Sequence, residues 1–173
     1  GDIEVLEREA KQGLASAYFV GFRRALERGA ERVVQMDADL SHDPADVPRL
    51  VASEADLVLG SRYVPGGGTR NWPIQRRLLS RFGSVWSRLW LSLPYRDLTG
   101  GFKAWTRASL EEALRSPVSS EGYAFQVEMT WRIHNAGRRI EEVPQRHNAN
   151  HHRRREALET LHAQLLHARR ESE

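Results

Sequence analysis

Two carboxylates two residues apart, Asp37 and Asp39, follow a short run of strand-forming residues, Arg32-Val33-Val34-Gln35-Met36. Like charges at that spacing repel, and placing both at the end of a buried strand is costly unless an opposite charge compensates them. A hard divalent cation with oxygen ligands does so. A cation held there can bridge the two phosphates of a nucleotide diphosphate leaving group and absorb the charge that grows as the group departs. Asp-x-Asp triplets also arise in turns and helix caps, so the triplet alone leaves both readings open. Arg62 closes a later apolar run, Leu57-Val58-Leu59, where it can end a strand on the surface or reach the same sheet edge and pair with a phosphate. Asp97 precedes Thr99-Gly100-Gly101. An Asx-turn explains it, and so does a polar contact to sugar hydroxyls. Glu128 and Gln126 stand two apart in a helical pattern, which sends them to different faces, so only Glu128 is kept as a weaker candidate.

The elements that must position these groups are legible from periodicity. Residues 3–6 read as a short strand, and 13–29 as a helix stopped by Gly29. Residues 32–36 form a strand that ends in the acidic triplet. Asp43-Pro44 is an N-cap with proline at the first helical position. Another strand covers 57–59, followed by a loop with Gly66-Gly67-Gly68. Strand, helix and strand in alternation imply a parallel sheet, with ligands outside the carboxyl ends of its strands. In 73–93, Ile74, Leu78, Phe82, Val85 and Leu89 recur every three to four residues, joined by Trp86 and Trp90, with Arg76, Arg77, Arg81 and Arg88 between them. The favoured reading is a helix that packs this stripe on the core and leaves its arginines in solvent; a membrane-surface helix is the alternative. A short strand follows Gly101, then helices near 107–114 and 123–136, the second stopped by Gly137, and a strand over 140–143 halted by Pro144. Residues 145–173 read as a polar, basic tail with a frayed helix, in which His151-His152 is better explained by solvation than by metal binding.

Composition narrows the function. The 173 residues and 40% hydrophobic content suit one domain with a genuine core. The 26 basic residues are 24 arginines and two lysines, Lys11 and Lys103, and acids are spread along the chain for a net charge of +3. That balance argues against a nucleic-acid binder. Absence of cysteine excludes disulfides, a thiol nucleophile and thiolate metal sites. No stretch is long and apolar enough to cross a membrane, and the first residues lack the pattern of a signal peptide.

Six segments in order, Lys11-Gln12-Gly13-Leu14-Ala15-Ser16-Ala17-Tyr18, Met36-Asp37-Ala38-Asp39-Leu40-Ser41-His42-Asp43-Pro44, Gly60-Ser61-Arg62-Tyr63, Asp97-Leu98-Thr99-Gly100-Gly101-Phe102, Gly122-Tyr123-Ala124-Phe125-Gln126-Val127-Glu128-Met129 and Glu142-Val143-Pro144, strongly resemble the polyprenol (dolichol) phosphate mannose synthases. The resemblance spans about residues 3–144. It implies an α/β, A-type glycosyltransferase fold, Rossmann-like, with a mostly parallel sheet flanked by helices. It also implies inverting transfer of mannose from GDP-mannose to a polyprenyl or dolichyl phosphate. By that resemblance Asp37 and Asp39 hold Mg2+ or Mn2+ and are the catalytic pair, the backbone at Ala38 contacts the nucleotide, and Arg62 reaches the donor phosphates. Lys11, in the first segment, joins Asp97 and Glu128 as a weaker candidate. An acceptor that is already an anionic phosphate needs no strong general base. The family's two N-terminal strands, with Pro-x-Tyr-Asn-Glu and Asp-Asp-Gly-Ser motifs, would precede Gly1, and its C-terminal phosphate-binding element does not align with 146–155. Residues 1–144 are thus expected to be a partial catalytic domain, cytoplasmic and peripheral at the cytoplasmic face of a membrane. Transfer of glucose or another hexose to the same lipid, and an inactive fragment that binds a partner or membrane, share the same visible motifs.

Overall fold

A computed structural model describes residues 3–10, 13–39, 41–70 and 72–148, the side chains at 70, 76, 147 and 148 excepted. Its first element is helix α1 (Gly13–Glu27), closed where Gly29 adopts φ +78 and the amides of Gly29 and Ala30 bond back to Leu26 and Ala25. Strand β1 (Arg32–Gln35) follows and leads directly to the acidic triplet. Asp43 then caps a 3-10 turn (Pro44–Asp46), its carboxylate accepting from the Ala45 amide at 2.9 Å, and helix α2 (Val47–Ala52) continues from it. Next come β2 (Leu57–Ser61), β3 (Gly68–Arg70), α3 (Ile74–Trp90), β4 (Lys103–Thr106), α4 (Arg107–Leu114), α5 (Ala124–Asn135), β5 (Ile140–Pro144) and β6 (Arg146–Asn148).

The main sheet has the order β1-β4-β2-β5. Strands β1, β2 and β5 run in one direction, and β4 alone opposes them between β1 and β2. The expected parallel arrangement therefore holds for three strands, with one antiparallel insertion that the alternation of strands and helices did not announce. Strand β2 is buried at all five positions because it has a neighbour on each side and helices on both faces. Alternation along it divides the core: Leu57 and Leu59 pack with Phe22, Trp105, Phe125, Met129 and Ile133, while Val58 packs with Leu50, Phe102 and Ala104 on the opposite face. Helices α1, α4 and α5 thus cover one side and α2 the other.

Three expectations need correction. Residues 3–6 form no strand; Ile3 and Val5 are exposed, and Glu4 instead makes ion pairs to Arg24 and Arg28 of α1 at 2.8 and 2.9 Å. A four-residue apolar run becomes a strand only where a sheet edge accepts it. Pro144 does not end the fold: it pairs with Ser61, and Gln145 is buried before β6 pairs in parallel with β3. Helix α3 reverses its expected orientation. Its inward face is the small set Ser80, Gly83, Ser84 and Ser87, and its apolar stripe points outward, with Leu78, Phe82 and Trp90 exposed to 62, 64 and 76%. Residues 149–173, His151-His152 included, lie outside the described residues.

Candidate active site

Residues from β1, the turn after it, the end of β2 and α3 converge on a cavity of about 400 Å³. Asp37, Asp39, Ser41 and His42 form one wall, Arg62 stands at the end of β2, and Trp72, Leu79 and Gly83 form the α3 side. Gly100 and Gly101 complete it beside the carboxylates. A Cβ on Gly101 would sit 3.4 Å from both Asp37 oxygens, so the glycine keeps that approach open.

Each carboxylate is oriented before any ligand arrives. Asp37 Oδ1 accepts the Tyr18 hydroxyl, and Oδ2 faces His42 Nε2 at 3.3 Å. Burial, then the bond to Asp37 and that group's charge, push the Tyr18 hydroxyl well above the usual tyrosine range, so it remains a donor. Asp39 Oδ1 accepts the Ser41 amide at 2.9 Å and the Ser41 hydroxyl. Ala38 lies exposed between the two acids and is not among the residues lining the cavity.

Arg62 and Asp97 make a single unit. The guanidinium donates through Nε and Nη2 to the two Asp97 oxygens at 2.7 and 2.6 Å, Nη2 also reaches Thr99 Oγ1 at 3.0 Å, and the Arg62 amide bonds the same carboxylate at 2.9 Å. The rings of Tyr63 and Trp72 lie 5.3 and 5.2 Å from the guanidinium carbon. Burial opposes the Arg62 charge, but the bonds and charge of Asp97 outweigh it and the net shift is upward. Asp97 is 1% exposed and turned toward Arg62 rather than into the cavity. Glu142 holds the turn that carries it, accepting the amides of Arg96 and Asp97 at 2.8 and 2.9 Å.

Two weaker candidates stand apart. Glu128 accepts the amides of Ser119 and Ser120 and pairs with Arg132 at 2.6 Å, away from the cavity; burial raises its pKa, but these donors together hold it below the usual range. Lys11 lies outside the described residues. The motif reading missed Ser41, His42 and Gln145 as site residues, although Ser41 and His42 lie inside the Asp37–Pro44 segment. It also missed Lys103, whose fully buried Nζ donates to the Gln126 carbonyl at 2.7 Å and to Thr130 Oγ1 at 2.9 Å. Burial pushes this lysine down to about 7, against the opposing charge of Asp97.

The family model for glycosyl transferase family 2 matches residues 1–114. The chain belongs to that family. It is 46% identical over 144 residues to an undecaprenyl-phosphate mannosyltransferase from Micrococcus luteus, covering 82% of this chain and 59% of the relative. It is also 46% identical over 145 residues to a polyprenol monophosphomannose synthase from Mycolicibacterium smegmatis, covering 82% of this chain and 55% of that protein. The chain thus spans somewhat more than half the length of these relatives. As a family 2 glycosyltransferase it has the α/β fold expected, and the cavity lies where an open sheet of this kind binds ligands. Two carboxylates and the Ser41 hydroxyl are hard oxygen donors lining one cavity, which fits Mg2+ or Mn2+. Among the described residues no group of three or more His, Cys, Asp or Glu side chains is placed to hold a metal ion by itself. Mg2+ is commonly held by one or two carboxylates together with substrate phosphates, so a two-carboxylate site suits it.

Proposed function

We propose that this chain transfers mannose from GDP-mannose to a polyprenyl phosphate by an inverting, metal-assisted reaction at a membrane surface. The observation that carries the reading is that Asp37 and Asp39 share one cavity with Arg62 and with α3. The similarity to an undecaprenyl-phosphate mannosyltransferase and to a polyprenol monophosphomannose synthase supports the acceptor class and the sugar. Asp37 and Asp39 would hold Mg2+ or Mn2+, which supplies charge neutralisation for a departing nucleotide diphosphate. Arg62, fixed by Asp97 and Thr99, adds positive charge beside the same wall. Gly100 and Gly101 let the donor approach the backbone. Trp72 and Leu79 give the cavity an apolar side turned toward α3.

The outward face of α3 supports the membrane location. Phe82, Trp86 and Trp90 stack in succession at 6.1 Å between ring centroids, and Arg77, Arg81 and Arg88 are exposed around them. Exposed aromatics with arginines suit an anionic lipid surface. No helix among the described residues is long and apolar enough to span a bilayer, so α3 would lie on that surface.

Mn2+ with GDP should raise the melting temperature of the chain, and Asp39→Ala should abolish the rise. Label from GDP-mannose should pass to polyprenyl phosphate, and label from UDP-glucose should not. Equal transfer from both donors would point to a less selective hexosyltransferase, and failure of both together with no thermal shift would overturn the reading. Flotation with anionic vesicles should retain the wild type and lose a Phe82→Ser, Trp86→Ser, Trp90→Ser variant.

A further inference from the structure

His42 is buried to 4% exposure at the back of the cavity wall, stacked on Phe102 with ring centroids 5.0 Å apart. Its two nitrogens face partners of different kinds. Nδ1 lies 2.9 Å from the side-chain amide of Gln145 and is hydrogen-bonded to it. Nε2 faces Asp37 Oδ2 at 3.3 Å, and because a carboxylate oxygen only accepts, Nε2 carries a proton and donates to it. Gln145 is itself fixed: it is 1% exposed, its backbone N–H donates to Ser61 O at 3.0 Å and its carbonyl accepts from Gly68 N at 3.0 Å. Its side-chain oxygen rests against Gly60, where a Cβ would stand 2.6 Å from that oxygen and 2.7 Å from Phe102. The same glycine therefore gives room to both the ring under His42 and the amide beside it.

We propose that His42, held in place by Gln145 and Phe102, is a positioning residue that sets the orientation of the Asp37 carboxylate for a divalent cation, with Tyr18 holding the other oxygen. A carboxylate offers about four acceptor directions. One on each oxygen is engaged by Tyr18 and His42, and these two bonds restrain the carboxylate plane at the cavity wall. The supports come from α1, from the turn after β1 and from the β5–β6 junction, so folding of distant segments sets the geometry at Asp37. Partners behind metal-ligating groups typically alter metal affinity by about 10–100-fold when removed.

The inference rests on the metal reading above, and Mn2+ alone is the probe that separates the two. Binding is read from the loss of the free Mn2+ electron paramagnetic resonance signal, with folding checked by circular dichroism and melting temperature. His42→Phe keeps a ring against Phe102 but no donor, and it should weaken Mn2+ binding by about 10–100-fold. His42→Gln places an amide nitrogen near the Nε2 position and should recover most of that loss. In the wild type, 15N spectra of the imidazole should show Nε2 protonated, a result that needs no variant to fold. Equal Mn2+ binding by wild type and His42→Phe, no recovery by His42→Gln, or an unprotonated Nε2 would each overturn the positioning role while leaving the metal reading intact. A wild type that binds no Mn2+ would overturn both.

Discussion

Helices α3 and α5 are both amphipathic, yet they face opposite ways. In α5 the apolar side chains other than Trp131 point largely inward: Phe125, Met129 and Ile133 are fully buried against the sheet, and Phe125 packs on Tyr18 and Phe19 with ring centroids 5.6 and 6.0 Å away. In α3 the inward residues are serines and a glycine, and the apolar stripe faces out. An apolar stripe must be covered by something, but its period says nothing about what covers it. For α5 the cover is the core of this fold. For α3 the small residues allow the helix to lie close over the cavity, Tyr63 and Thr99 meeting Ser80 and Ser84 through hydroxyl contacts of 2.9 to 3.5 Å. The stripe is left exposed.

The largest effect that tests this contrast comes from matched truncations. Phe125→Ala should cost about 3–5 kcal/mol of unfolding free energy because it opens a cavity in close-packed surroundings. Phe82→Ala should change stability in water by no more than about 0.5 kcal/mol, as for other exposed positions. Urea denaturation of the two variants measures both, and similar losses would show that the α3 stripe is buried after all.

Lys103, beneath α5, should mark the pH dependence of stability. Burial pushes its folded pKa down to about 7 from the ordinary lysine value of 10.5, so between those limits the unfolded chain binds more protons than the folded one. Stability from this group therefore rises as pH climbs from about 7 toward 10.5 and falls as pH drops back. Lys103→Met should flatten that rise in denaturation midpoints taken across the interval. An unchanged slope would show that this amine titrates normally in the fold.

The same contrast explains what the amino-acid pattern could and could not disclose. Asp37 and Asp39 were legible because a strand, a carboxylate pair and a proline-marked N-cap follow each other in a few residues, and local propensity decides all three. The helices α1 and α5 were legible, each with a glycine stop at Gly29 and Gly137, and α4 was placed over the same residues that form it. Arg62 was legible in place but not in pairing, since Asp97 lies 35 residues on and meets it only through the sheet. The support of His42 by Gln145 spans 103 residues and lies in a stretch that reads as the start of a tail. The orientation of α3 was hidden for a different reason: period reports that a helix has two faces, and only its tertiary neighbours decide which one is inside.

Gly83 offers the smallest and most delicate test, since it lies on the inner side of α3 where the helix crosses the cavity. A Cβ there would meet only Thr99 Cγ2, at 3.8 Å, an ordinary contact distance. Its helical backbone needs no glycine, so the residue costs conformational entropy without relieving a clash. Gly83→Ala should therefore raise unfolding free energy by about 0.5–1 kcal/mol, read as a higher urea midpoint with an unchanged slope. A drop in stability would mean that α3 is packed on the sheet as tightly as α5, and the difference between the two helices would shrink to the polarity of their outer faces.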